Sequence, residues 1–374
     1  MLTLIVKNFG VLKDINIELN KTNLFIGENG SGKSVLAKLI TIMTDSTINE
    51  NAILKSFKDY NIDYLSKDSY IELNDNKRTI VKIKSNLVTL HEVRLEDMNS
   101  FNNLNTIMQV EDFVSAVDEV NSKNKDKIIF KQDAQNGINN YKRFKPKYIP
   151  AERNLISLFN RSLSNLITSD IPLPKELLDF SSQYNNARND IKELNILDMV
   201  YKFKNGQDEI YYDAEKFLPL ENSSSGIQTA LPLYVTIRYF NKKHEDIIIE
   251  EPEQNLYPKA QVDTIKFIIE NSSENVYLMT HSPYVLSTLN ILLFAYKASN
   301  KNHILKEKIS NIIPKSQQIN PDEFSAYFIK NGISESIKGK STGMISENAI
   351  DEVGDIIDDE FNELMEIYRE FKND

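Results

Sequence analysis

The chain has 374 residues, 41% hydrophobic and 26% charged, with a formal net charge of −10 and no cysteine. Its length admits more than one core and its composition is that of an ordinary globular protein; the missing cysteine excludes disulfides, thiolate metal sites and cysteine nucleophiles. The acidic balance argues against a surface coated for DNA, while Lys142, Arg143, Lys145 and Lys147 still offer a local basic run, read here as a solvated loop before a strand.

In chain order, residues 2–6 and 15–19 read as short strands around Asn8-Phe9-Gly10, and the apolar run Leu24-Phe25-Ile26 as a buried strand. Directly after it comes Gly27-Glu28-Asn29-Gly30-Ser31-Gly32-Lys33-Ser34, a complete phosphate-binding loop, then a helix to residue 43. The glycines let backbone N–H groups curl around phosphates, and the positive end of the helix faces them. A nucleoside triphosphate is therefore expected on Asn29, Gly30, Ser31, Gly32, Lys33 and Ser34. Lys33 would reach the β- and γ-phosphates, and the Ser34 hydroxyl would ligate magnesium.

Alternation over 70–73 and 79–83 predicts a small antiparallel sheet, the periodicity over 112–120 a helix, and Lys147-Tyr148-Ile149 a strand. Residues 154–203 carry apolar side chains three and four apart and read as an inserted helical lobe, broken at Pro172 and Pro174. A strand at 209–212, a helix over 227–239, a strand at 247–249, a helix over 258–269 and a strand at 276–279 then alternate as a sheet covered by helices requires. A hairpin over 326–337 turns at Asn331-Gly332, and a last helix carries the stripe Ile350, Val353, Ile357, Phe361, Leu364, Tyr368 and Phe371. The most apolar stretch, 276–298, is interrupted by His281, Ser282, Pro283, Ser287 and Asn290, so no membrane span is expected. With no basic-then-apolar leader at Met1, a cytoplasmic location is expected.

Three clusters answer the loop. Glu250-Glu251 ends the three-isoleucine strand, so its carboxylates should reach the carboxyl edge of the sheet. Glu250 would help hold magnesium, and Glu251 would orient or deprotonate an attacking water. His281, one of four histidines, follows the next strand, where its imidazole could meet the γ-phosphate; Ser282 reads as the cap of a helix starting at Pro283. Ser224-Ser225-Gly226 opens another helix and makes a second anion site, with Ser225 and Gly226 as its binding residues. One ATP does not need two such helix ends, so the second points to a nucleotide bound to another subunit.

The order of these motifs resembles the ATP-binding-cassette ATPases. Within them, the stretch from Ile249 to Pro258 and Tyr148-Ile149-Pro150-Ala151-Glu152-Arg153 are similar to the RecF-like and OLD-type AAA ATPases of bacteria. The resemblance implies an α/β P-loop NTPase, an ABC-ATPase-like head with an antiparallel β flank and an inserted helical lobe. Its parts would be 1–153 and 204–298 for the head, 154–203 for the lobe, and 299–374 for a hairpin and helices packed on it. It also implies a head-to-tail homodimer around two ATP molecules and magnesium, with Ser225 and Gly226 of one copy completing the site of the other. Glu251 becomes the catalytic carboxylate, His281 the switch histidine, and Glu152 or Arg153 falls where the nucleotide couples to the lobe.

Two residues depart from the cassette pattern: Glu250 stands where Asp is usual, and Ile227 replaces the second signature glycine, where a β-branched side chain would restrict phosphate approach. The Toprim nuclease domain of OLD-type proteins is not seen. The expected function is an ATP-hydrolysing regulator of a separate effector, such as a nuclease in phage defence. The alternatives are a non-hydrolysing nucleotide-gated switch or scaffold, and a DNA-repair ATPase that binds nucleic acid directly.

Overall fold

The computed structural model describes residues 2–45, 50–75, 78–84, 87–90, 146–159, 173–301, 303–346 and 364. The N-terminal part forms β1 (Leu2–Phe9), β2 (Leu12–Leu19), β3 (Thr22–Ile26), α1 (Lys33–Met43), α2 (Glu50–Asp59), β4 (Tyr70–Asp75), β5 (Arg78–Lys84) and β6 (Leu87–Leu90). Next come β7 (Lys147–Ile149), α3 (Asn154–Phe159), α4 (Lys175–Asp190), β8 (Glu193–Ile196), β9 (Met199–Lys204), β10 (Gln207–Tyr211) and β11 (Phe217–Pro219). The C-terminal part forms α5 (Ser225–Lys243), β12 (Ile247–Glu250), α6 (Pro258–Glu270), β13 (Val276–Thr280), α7 (Pro283–Ser299), α8 (His303–Ser310), β14 (Phe324–Lys330) and β15 (Ile333–Ser336).

Burial on both faces selects the central strands. Every residue of β3, β12 and β13 is buried, as continuous apolar runs in a parallel sheet must be. They lie side by side in an 11-stranded sheet of order β6-β5-β4-β1-β2-β15-β14-β3-β13-β12-β7. Pairing is parallel from β14 through β7, and antiparallel among β2, β1, β4, β5 and β6. Because side chains alternate across a strand, Leu24 and Ile26 enter a core with Ile247, Ile249 and Leu278 beneath α5, α6 and α7. Phe25, Ile248, Tyr277 and Met279 enter the opposite core, with α1, α2 and the antiparallel flank. This is the expected α/β head with its β flank.

The lobe departs from expectation. Residues 175–190 are helical, but 193–204 are extended, and β8 to β11 form a separate antiparallel sheet of four strands. Leu197 and Asp198 both take positive φ, 45° and 65°, and close a two-residue hairpin in which Ile196 faces Met199. The apolar spacing of this segment fits a period of two as well as a helix, and the turn decides between them. Expectations for the helix at 112–120, for Lys142, Arg143 and Lys145, for Pro172 and, Leu364 apart, for the C-terminal stripe lie outside the described residues. Among the described residues no helix is long and apolar enough to cross a membrane.

The turns β1–β2 and β14–β15 interlock beside the phosphate-binding loop. The Gly332 carbonyl accepts from the backbone N–H groups of Lys13 (2.8 Å) and Asp14 (3.1 Å). Gly332 has φ +78°, and a Cβ there would sit 2.0 Å from the Val11 carbonyl oxygen. Gly206 has φ +77° with nothing within 4 Å of the same position. In urea denaturation, Gly332→Ala should therefore cost at least ~2 kcal/mol, and Gly206→Ala only ~1 kcal/mol.

Candidate functional site

Strand register brings the loop and the acidic strand end together. Ile26 pairs with Thr280, and Met279 pairs with both Phe25 and Glu250. The chain therefore leaves β3, β12 and β13 at one carboxyl edge, where Gly27, Glu251 and His281 begin their separate paths. Gly27 passes so close to β14 that a Cβ would meet the Ile329 carbonyl oxygen at 2.2 Å, while Gly30 and Gly32 take φ of +78° and +105°. Gly32 caps α1, and Asn29 and Gly30 lie exposed on the loop with Ser34 exposed on the first turn behind it. The Ser31 hydroxyl is buried and has no hydrogen-bond partner. A cavity of about 290 Å³ opens between this loop and the interlocked turns, lined among others by Val11, Lys13, Glu28, Lys330 and Asn331.

Lys33 is the buried cation of the site. Its Nζ donates to the carbonyls of Gly27 (2.6 Å) and Glu28 (2.8 Å). Burial lowers its pKa, while Glu251, Glu253 and Glu250 pull it back up. Glu250 is 6% exposed, and burial raises its pKa against the opposing pull of the Ser34 and Tyr148 hydroxyls. Glu250 Oε1 and the Tyr148 hydroxyl lack hydrogen bonds of standard geometry, yet lie close enough to shift each other's protonation. An orphaned carboxylate oxygen near a serine hydroxyl is an oxygen-only donor set, which fits magnesium held by one or two protein ligands plus phosphate and water. Among the described residues no group of three or more His, Cys, Asp or Glu could hold a metal by itself.

Glu251 and His281 meet at the mouth. Glu251 takes φ +44°, and its N–H donates to the Met279 carbonyl at 2.8 Å. His281 Nδ1 lies 3.7 Å from Oε1 of both Glu251 and Glu253, an ion-pair distance when the ring is protonated and too long for a hydrogen bond. Glu253 is 4% exposed; its Oε1 accepts from the Thr280 hydroxyl (2.7 Å) and the His281 N–H (3.0 Å). Ser282 caps α7 by accepting from the Tyr284 N–H at 3.2 Å, as its sequence context predicts.

Residues 1–67 and 46–286 match the family model described as AAA ATPase domain. The chain belongs to this family. No curated protein matches it. Among solved structures it is similar to the SMC head domain from Thermotoga maritima, at 12% identity over 90% of this chain and 97% of that one, with a TM-score of 0.40. It is also similar to the ADP conformation of MJ1267, an ATP-binding cassette of an ABC transporter, at 15% identity over 94% of each chain, with a TM-score of 0.36.

In this AAA ATPase the segment Ser224-Ser225-Gly226 opens α5. Ser224 and Ser225 are exposed at the start of α5, and Gly226 packs on the Asn255 carbonyl, 2.9 Å from where a Cβ would be. Among the described residues no hydrogen bond joins Ser225 or Gly226 to residues 27–34. Ile227 corrects an expectation: its side chain is 6% exposed and belongs to the core beneath the sheet, so it does not crowd the exposed helix start. One turn along the helix, the Thr229 hydroxyl donates to the Ser225 carbonyl and accepts from Asn255 Nδ2.

Two site residues escaped assignment from sequence. Glu253 reads as part of an acidic turn, and only the fold shows it holding Thr280 and His281. Arg153 is read only as a residue of the coupling region, yet it is wholly buried and bonded to the end of β12. An arginine three residues after the proline that ends an apolar strand was the available signal. Glu253→Ala leaves the buried Thr280 hydroxyl and the part-buried His281 N–H without their acceptor and should lower stability by about 1–3 kcal/mol in chemical denaturation, whereas Glu253→Gln, which keeps an acceptor oxygen, should lose less.

Proposed function

We propose that this AAA ATPase hydrolyses magnesium-bound ATP in a homodimer whose two sites are shared between subunits. The supporting observation is the convergence of Lys33, Ser34, Glu250, Glu251 and His281 on one sheet edge. The loop N–H groups and Lys33 hold the β- and γ-phosphates, and the adjoining cavity offers room for the nucleoside. Ser34 and Glu250 hold a magnesium ion, whose charge offsets that of the phosphates. Glu251 receives the proton of the water that attacks the γ-phosphorus, the bond to the bridging oxygen breaks, and His281 lies beside that carboxylate. Ser225 and Gly226 of the second copy close the site with the N-terminus of α5. The exposed helix start, with no hydrogen bond to its own loop among the described residues, supports that assignment.

The burial of Ile227 and the approach of Ser34 to Glu250 weigh against a non-hydrolysing switch. We read the lobe over 154–203 as the output element. Lys38 on α1 bonds to Glu176 at the start of α4 at 2.5 Å, a direct tie between the phosphate-binding helix and that lobe. On this reading the protein stands with the RecF-like and OLD-type ATPases and acts on a separate effector, such as a nuclease in phage defence. Salt-sensitive DNA binding, or stimulation of turnover by DNA, would favour the repair reading instead.

Lys33→Ala should abolish ATP binding and turnover. Glu251→Gln should keep ATP binding, cut turnover at least ~100-fold, and accumulate an ATP-bound dimer in analytical ultracentrifugation. Normal turnover by Glu251→Gln would refute the assigned role of the carboxylate. A monomer at saturating ATP would refute the shared site.

A further inference from the structure

Arg153 occupies the single helical turn between β7 and α3 and is 0% exposed. Among the described residues its guanidinium makes no salt bridge and no hydrogen bond to a carboxylate. Instead it donates to four carbonyl oxygens drawn from three segments. Nη1 reaches Pro150 (3.0 Å) and Glu250 (2.8 Å), Nη2 reaches Glu251 (2.7 Å), and Nε reaches Thr229 (3.2 Å). Burial lowers its pKa to about 10, with Glu253, Glu251 and Glu250 opposing, so it stays charged at neutral pH.

A buried cation without a contacting counter-ion is an expensive way to satisfy carbonyls that water or a neutral donor could serve. What the guanidinium adds is a rigid fork that fixes several acceptors at once. Two of those acceptors, the Glu250 and Glu251 carbonyls, belong to the peptides on either side of the Glu251 α-carbon. Glu251 is a non-glycine residue at φ +44°, a conformation that persists only where its surroundings impose it. Its N–H is fixed by the Met279 carbonyl and its C=O by Arg153, so both ends of the strained residue are held. The third segment is α5 one turn from its start, where Thr229 also binds the Ser225 carbonyl and Asn255. Ser157, four residues on, donates to the neighbouring Gln228 carbonyl at 2.6 Å.

We propose that Arg153 is a positioning residue for hydrolysis, which locks the Glu251 backbone in its left-handed conformation and ties it to the serine-signature end of α5. A shift of the signature helix, on engaging nucleotide held by a second copy, would then reach Glu251 through one side chain. The proposal rests on the role given above to Glu251. Lysine keeps the charge but not the fork, so it restores the function only in part.

The test measures phosphate release and affinity for a non-hydrolysable ATP analogue on the full chain. The variants are Arg153→Lys, Arg153→Met, Glu251→Gln and the two doubles. Acting through Glu251, Arg153→Met should lower kcat about 30-fold and Arg153→Lys about tenfold, with KM and analogue affinity within about threefold of wild type. In the Glu251→Gln background neither substitution should lower the residual rate further. An unchanged kcat, a rise in KM that matches the loss, or an equal loss in both backgrounds overturns the proposal. If Arg153→Met does not fold, Arg153→Lys and its double decide by the same criteria. Normal turnover by Glu251→Gln with Arg153 intact is a separate outcome, and overturns the role of Glu251 itself.

Discussion

The parallel register of β3, β13 and β12 is the constraint on which the rest of the molecule depends. Each of these strands is buried on both faces, so a slip by one residue would exchange Phe25 with its neighbours between the two cores and misplace Ile248 and Tyr277 as well. The same register fixes where the chain leaves the sheet. With Ile26 opposite Thr280 and Glu250 opposite Met279, the phosphate-binding loop, the paired glutamates and His281 must share one edge. Hydrophobic packing thus sets the geometry of a polar site that none of its polar residues could assemble alone.

That site is electrostatically crowded. One buried lysine is surrounded by Glu250, Glu251 and Glu253, whose charges offset the burial that lowers its pKa. Glu250 and Glu253 are themselves buried, each with one carboxylate oxygen lacking a hydrogen bond. Such groups are tolerated where something else completes them. Glu253 uses its other oxygen to fix the backbone at His281, and Arg153 fixes the backbone at Glu251. The ends of β12 and β13 are therefore each held by a buried charged residue, one basic and one acidic, acting on main-chain groups.

Much of this was legible in the sequence because the signals were local. The loop, the three-isoleucine strand, the capping Ser282 and the Asn331-Gly332 turn each declare themselves within a few residues, and each stands where it was expected. The second half of the lobe was misread because its apolar spacing fits two periods, and only the positive φ of Leu197 and Asp198 makes it a hairpin. Ile227 looked obstructive because a motif lists residues without directions; the helix turns its side chain into the core. Glu253 and Arg153 were under-read for a shared reason: their distant partners are backbone groups 28 or more residues away, for Arg153 on Thr229, Glu250 and Glu251, for Glu253 on His281. No local pattern encodes such contacts.

Phosphate release by the purified wild-type chain, at saturating ATP with and without magnesium, tests the central claim most directly. The site geometry predicts sustained multiple-turnover release that saturates with ATP and stops when magnesium is withheld. Tight ATP binding with no phosphate beyond the amount of protein present would contradict it.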